Sequence, residues 1–175
     1  MIKQEILQRL KDNHESFTTF IVSLDERNFL FTINEKWTPG QQAEHILRSV
    51  KPVLLAFRLP LFSLKLIFGK ANRPSRSYYG LVDRYHEKLA AGGKASGRFI
   101  PSSVAYLQKD KICTGIIAAV SSLCGNAEKV KEEDLDLYIL PHPLFGKITL
   151  REMLYFTAYH VQHHQRSIKE LIKGQ

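Results

Sequence analysis

The stretch TLREMLYFTAYHVQHHQRSIKELIK, residues 149–173, constrains the fold of this chain more than any other. On a wheel of about 3.6 residues per turn, Leu150, Met153, Leu154, Thr157, His160, Val161, His164, Ile168 and Leu171 fall on one stripe. That stripe is the face a bundle helix buries. Two histidines therefore sit inside an otherwise apolar seam, one turn apart, a spacing from which two imidazoles can reach one metal ion. His163 falls off the stripe and is expected at the surface or behind the ligands. A single histidine on an apolar face is more often a hydrogen-bonded core residue than a ligand. Two together are harder to bury, because an unpartnered polar group costs about 1–3 kcal/mol and neighbouring imidazoles resist sharing positive charge.

Three further stretches carry the same periodicity. Residues 2–24 place Leu7, Leu10, His14, Phe17, Ile21 and Leu24 on one side, which makes His14 a rival or additional ligand. Trp37 precedes a strong helix start in which Thr38 caps, Pro39 takes the first position and Gln41 completes a capping box. That helix puts His45, Ser49, Pro52, Val53 and Ala56 on one face, with Pro52 expected to kink it. A third long helix is predicted over 103–123, burying Val104, Leu107, Ile112, Ile116, Ala119, Val120 and Leu123, with Gly125 as its stop. The last helix starts at Thr149 with a second capping box completed by Glu152. Four amphipathic helices joined by long excursions predict an all-α, up-down four-helix bundle with long loops and a short extra helix near residues 79–93. At 175 residues the chain is expected to form one domain over 1–175.

Between the long helices, Asn28 to Trp37 is expected to lie against the bundle through Phe29, Leu30, Phe31 and Ile33. The run from Val53 to Phe68 is interrupted by Arg58, Pro60 and Lys65, too short and too charged to span a bilayer, and reads as a buried helix followed by a turn. His86 has charged neighbours and is set aside as a ligand. His142, between two prolines, belongs to an extended segment packing on the bundle. Charges throughout the first seventeen residues do not fit a secretory leader, so a cytoplasmic location is expected. Cys113 and Cys124 lie eleven positions apart in one predicted helix, roughly 16 Å at its rise per residue, and cannot pair there. Free thiols fit a reducing compartment.

The formal charge of +8 is concentrated: residues 48–98 hold eleven Lys and Arg against Asp83 and Glu87. Such a region could attract an acidic partner, although no nucleic-acid-binding motif accompanies it. His45, with His160 and His164, makes a candidate three-histidine site. Three neutral imidazoles with one position left over is the arrangement of a reactive zinc centre, and nitrogen donors also suit nickel, iron, manganese or copper.

The segments WTPGQQAEHI at 37–46 and PHPLFGKITLREML at 141–154, with the His160 and His164 pair, resemble the DinB-like superfamily of small bacterial four-helix-bundle metalloproteins. The resemblance covers essentially the whole chain. It implies a divalent metal held by His45, His160 and His164, and commonly a homodimer. It further implies a small-molecule substrate, with some members being thiol-dependent S-transferases that use a low-molecular-weight thiol and others hydrolases. The basic insert over 69–98 departs from the pattern. Two readings follow: a metal-dependent transferase or hydrolase, or a non-catalytic metal-stabilised bundle or basic module for an anionic partner.

Overall fold

The architecture is that of a computed structural model, which describes residues 1–174; Gln175, the end of the expected domain, lies outside the described residues. Four long helices carry the fold: α1 (Lys3–Ser23), α3 (Pro39–Arg58), α6 (Lys109–Glu128) and α8 (Leu150–Lys173). Short helices α2 (Glu26–Leu30), α4 (Leu61–Phe68), α5 (Tyr78–Ala90) and α7 (Asp134–Leu137) occupy the connections. The chain forms a four-helix bundle in which α1 packs on α6 and α8, and α3 packs on the same two helices. The histidine-bearing helices α3 and α8 are therefore neighbours. Leu10, Phe17, Ile21, Ile46, Ile116, Leu123, Leu154 and Ile168 fill the space between them.

Both expected helix starts form as side-chain chemistry dictates. Thr38 Oγ1 accepts from the Gln41 amide at 3.1 Å while Gln41 Oε1 accepts from the Thr38 amide at 3.0 Å. Thr149 and Glu152 exchange the same pair at 3.2 and 3.0 Å, satisfying donors that a helix start would otherwise leave orphaned. Gly40 has a further duty: a Cβ there would stand 2.5 Å from the buried Phe29 ring. Glycine thus lets α2 lie directly on the start of α3.

The structure corrects several details. The third long helix starts at Lys109 rather than 103 and runs through Gly125 to Glu128. Its start is fixed by Lys109, whose ammonium donates to the Val22 and Leu24 carbonyls at 2.8 Å each. Leu107, expected in the core, lies before that start and is 95% exposed. Of the apolar residues between 28 and 37, Phe29 is buried, whereas Leu30 and Ile33 face outward. The run to Phe68 is not a buried helix with a turn: Pro60 ends the helical path, α4 follows, and of its apolar residues Leu64 is buried while Leu66 is 80% exposed. The segment around His142 is a hairpin of β1 (Ile139–His142) and β2 (Gly146–Thr149), paired Ile139 to Thr149 and His142 to Gly146. Gly146 turns the hairpin at a φ of 71°, a conformation side chains with a Cβ resist. No described helix is long and apolar enough to cross a membrane.

Both cysteines are free and buried on α6, and burial pushes each thiol up to about 11. The reactive species is the thiolate, so the native protein is expected to ignore a thiol reagent at pH 8 and to react at both positions once denatured. Fast labelling of the native protein at pH 8 would contradict this packing.

His14 lies in the core, 1% exposed, donating from Nδ1 to the Leu10 carbonyl at 2.7 Å while Nε2 has no hydrogen-bond partner. Burial drives its pKa from 6.5 down to about 4, against the raising effect of the Leu10 bond. Between those values the unfolded chain binds a proton that the native chain refuses, so stability is complete above pH 6.5 and declines toward pH 4. The shift corresponds to about 3 kcal/mol for this group. A His14→Leu variant should show a shallower loss of urea midpoint between pH 7 and 4.5 than the parent; parallel curves would count against it.

Candidate metal centre

Three imidazoles meet where α3 faces α8. His45 Nε2 stands 3.3 Å from His160 Nε2, and His164 Nε2 stands 3.1 Å from the same atom. One nitrogen from each ring lies within 4.8 Å of the others, and among the described residues no further His, Cys, Asp or Glu joins this group. The rings are held from behind. His45 Nδ1 donates to the Phe99 carbonyl at 2.6 Å. His164 Nδ1 donates to Gln42 Oε1 at 2.9 Å, and the other end of that amide donates to the Trp37 carbonyl at 3.3 Å. With Nδ1 committed as a donor in both rings, Nε2 carries the lone pair.

The chemistry of this donor set fits a cation. Two nitrogens bound to one tetrahedral metal at about 2.0–2.1 Å are separated by about 3.3 Å, and cis nitrogens of an octahedral one by about 3.0 Å. The observed 3.1 and 3.3 Å match that range. A proton does not substitute well. Burial first, and then the neighbouring imidazoles, hold His160 and His164 well below the ordinary histidine value. Burial also lowers His45, with the Phe99 carbonyl opposing and Arg48 assisting.

The walls are aromatic. Phe156 stacks on His160 at 4.7 Å, Trp37 stands 5.0 Å from His45, and Tyr85 of α5 stands 6.1 Å from His160. His163, expected at the surface or behind the ligands, takes the second place: it is half-buried, against Tyr85 and His164 at 5.3 Å each. His86 bonds the Tyr159 hydroxyl at 2.6 Å, outside the triad. His142 packs its ring 4.3 Å from Phe156 and accepts the Leu144 amide at Nδ1; neither it nor His14 belongs to the three-ring group.

Of the polar residues flanking His45 in sequence, Gln41 caps α3, Gln42 orients His164, and Glu44 binds Arg48 and the Ser102 amide. Gln42 precedes His45 by one turn, so spacing could have assigned it to the same face. The Phe99 carbonyl could not have been found: a backbone oxygen 54 residues away leaves no mark on composition or periodicity. Three arginines of the basic stretch are spent on structure. Arg73 and Arg76 hold the buried Glu152, and Arg48 holds residues 98–102.

Fold and site together define a helical bundle with a buried three-histidine group able to hold a metal ion. The chain belongs to the DinB superfamily, whose family model matches residues 9–168. It is similar to the uncharacterized protein YuaE of Bacillus subtilis (strain 168), at 33% identity over 73 residues, which is 42% of this chain and 40% of that protein. The match thus spans less than half the length of that relative. The fold is similar to the crystal structure of TT2238, a four-helix bundle protein, with a TM-score of 0.60 and 16% identity over 96% of this chain and 98% of that one. At that identity the likeness speaks for the fold alone.

Proposed function

We propose that this protein is a metal-dependent enzyme acting on a small molecule, with a divalent ion held by Nε2 of His45, His160 and His164, and that thiol-dependent S-transfer is its reaction rather than hydrolysis. The observation that carries the metal reading is the convergence of three Nε2 atoms at 3.1 and 3.3 Å, two of them, in His45 and His164, on rings whose Nδ1 is engaged elsewhere. When bound, such a cation lowers the pKa of a thiol or water at its remaining position and polarises an electrophile.

The surroundings favour the thiol. Hydrolysis through water calls for a positioned general base, most often a histidine and otherwise a carboxylate. His163, 5.3 Å from His164 between ring centres, is a weak one, since burial first and then His86 push it down to about 4. Among the described residues no Asp or Glu joins the triad, and the nearest in sequence, Glu44, is engaged by Arg48 and Ser102. A thiol needs less help, because the cation alone is enough to deprotonate it. The chain's own residues would orient the three rings, keep bulk water from them, and offer Phe156, Trp37 and Tyr85 as apolar walls. Arg98, exposed one residue from Phe99, is a cation available to an anionic thiol. The internal use of Arg48, Arg73 and Arg76 weighs against a module that docks on a polyanion. Free Cys113 and Cys124 support a reducing cytoplasm as the place of action.

The test is a panel of low-molecular-weight thiols with a model electrophile, run beside a panel of esters and amides. Thiol conjugation that a chelator abolishes and zinc or nickel restores supports this reading. Ester or amide turnover without thiol dependence would replace it with the hydrolase, and no metal-dependent turnover in either panel would defeat both.

A further inference from the structure

The segment 97–102 crosses the face of α3 as a strap and delivers the Phe99 carbonyl to His45. Its conformation is not set by regular structure beyond a single turn in which the Ile100 amide donates to the Gly97 carbonyl at 3.1 Å. Two α3 side chains fix it. Arg48 Nη1 donates to the Ile100 carbonyl at 2.8 Å and Nη2 to Ser102 Oγ at 2.7 Å. Glu44 Oε2 accepts the Ser102 amide at 2.9 Å, and its other oxygen accepts Nε and Nη2 of Arg48 at 3.0 and 2.7 Å. The guanidinium is thus locked by the carboxylate and reads the strap as a rigid fork. Pro101, buried between the two attachment points, stiffens the same segment.

We infer that Glu44 and Arg48 are positioning residues for His45, clamping residues 98–102 so that the Phe99 carbonyl holds Nδ1–H and leaves Nε2 free to face His160 and His164. The inference rests on the proposed metal site for its purpose and on the hydrogen bonds alone for its geometry. A carbonyl behind a ligating imidazole sets its tautomer and its aim. Here that carbonyl belongs to an irregular strap rather than a helix, so the orientation of the ring is only as good as the clamp. The clamp also explains the basic residue at 48 without an anionic ligand.

The experiment uses the full chain, stripped of metal by a chelator, and two readouts. The first is a two-bond proton–nitrogen correlation spectrum of the imidazoles, which reports the His45 tautomer with no metal present. The second is zinc affinity by competition with a chromophoric chelator. In Arg48→Ala and Glu44→Ala, His45 is expected to pass from a single Nδ1–H form to an exchanging mixture. The zinc dissociation constant should rise about tenfold, the lower end of the loss seen when a partner behind a ligand is removed. Arg48→Lys, which keeps the charge but not the fork, should recover part of both effects. Arg58→Ala, whose side chain bonds Ser122 away from the strap, should change neither.

An unchanged His45 tautomer and unchanged zinc affinity in both alanine variants would overturn the inference while leaving the metal site standing. A shifted tautomer in a protein whose parent binds no zinc would do the reverse: the clamp stands and the proposed function falls. Should Arg48→Ala lose its helical circular dichroism, Glu44→Ala and Arg48→Lys carry the same comparison.

Discussion

Replacing His160 by alanine is expected to take the metal content of the purified protein from about one ion per chain to nearly none, with affinity weakened about a thousandfold or more as a three-nitrogen site becomes a two-nitrogen one. His160 is chosen because its Nε2 stands between the other two, 3.3 Å from His45 and 3.1 Å from His164. His45→Ala should match it. His163→Ala and His86→Ala should retain the ion, since neither ring belongs to the converging group. Elemental analysis after dialysis makes the comparison, and equal metal in His45→Ala, His160→Ala and the parent would sink the site. Acid acts in one direction only. Protons compete with the cation for Nε2, so the ion leaves as pH falls and is held as it rises. Burial and mutual repulsion keep His160 and His164 well below the ordinary histidine value, which moves the release to lower pH than free imidazole would show.

Glu152→Ala should be the most destabilising single change at a charged position, by about 3 kcal/mol, which lowers the melting temperature by about 6–12 °C for a chain of this size. The carboxylate is fully buried. It accepts two bonds from Arg73 at 2.8 Å each, the amide and guanidinium of Arg76 at 2.9 and 3.0 Å, and the Thr149 amide at 3.0 Å. Its loss frees the start of α8, opens the approach of residues 73–76 and leaves a void. The estimate sits at the low end for a broken buried pair because both arginines are about a third exposed and can turn to water. Glu170→Ala, which breaks an exposed pair with Lys173, should stay within about 0.5 kcal/mol of the parent. Burial alone would raise the Glu152 pKa, but the Arg73 bonds and the Arg76 and Thr149 amides together hold it below the ordinary carboxylate value. Its contribution is therefore present above the unfolded value near 4.5 and lost as pH falls further. Calorimetry at pH 7 would expose a failure as a shift under about 2 °C.

How much of this was readable in advance follows from what kind of signal each feature leaves. The two helix starts at Thr38 and Thr149 were legible because a capping box is written entirely within four residues. The bundle was legible because burial of a helix face imposes a three-and-four spacing over whole turns. The three converging histidines were legible only in part, since each interrupts an apolar stripe but so does His14, and it was the resemblance to the DinB-like superfamily that picked His45, His160 and His164 over it. What escaped depends on partners far along the chain. The true start of α6 is set by Lys109 reaching carbonyls at Val22 and Leu24, so the spacing that put Leu107 in the core was followed six residues too early. The outward face of α4 escaped because apolar composition says that a residue prefers burial, not that the fold has room for it. The arginines at 73 and 76 read as part of a basic region able to attract an acidic partner, whereas Glu152, 79 and 76 positions away, is their partner within the fold.

The nitrogens of His45 and His160 that face each other belong to residues 115 positions apart, and the strap behind His45 comes from a third segment between them. A nascent chain cannot present the full set until the residues through His164 have left the ribosome and α8 has docked. Metal capture then follows tertiary assembly, and a cation bound across that separation closes a long loop whose release would accompany loss of the last helix.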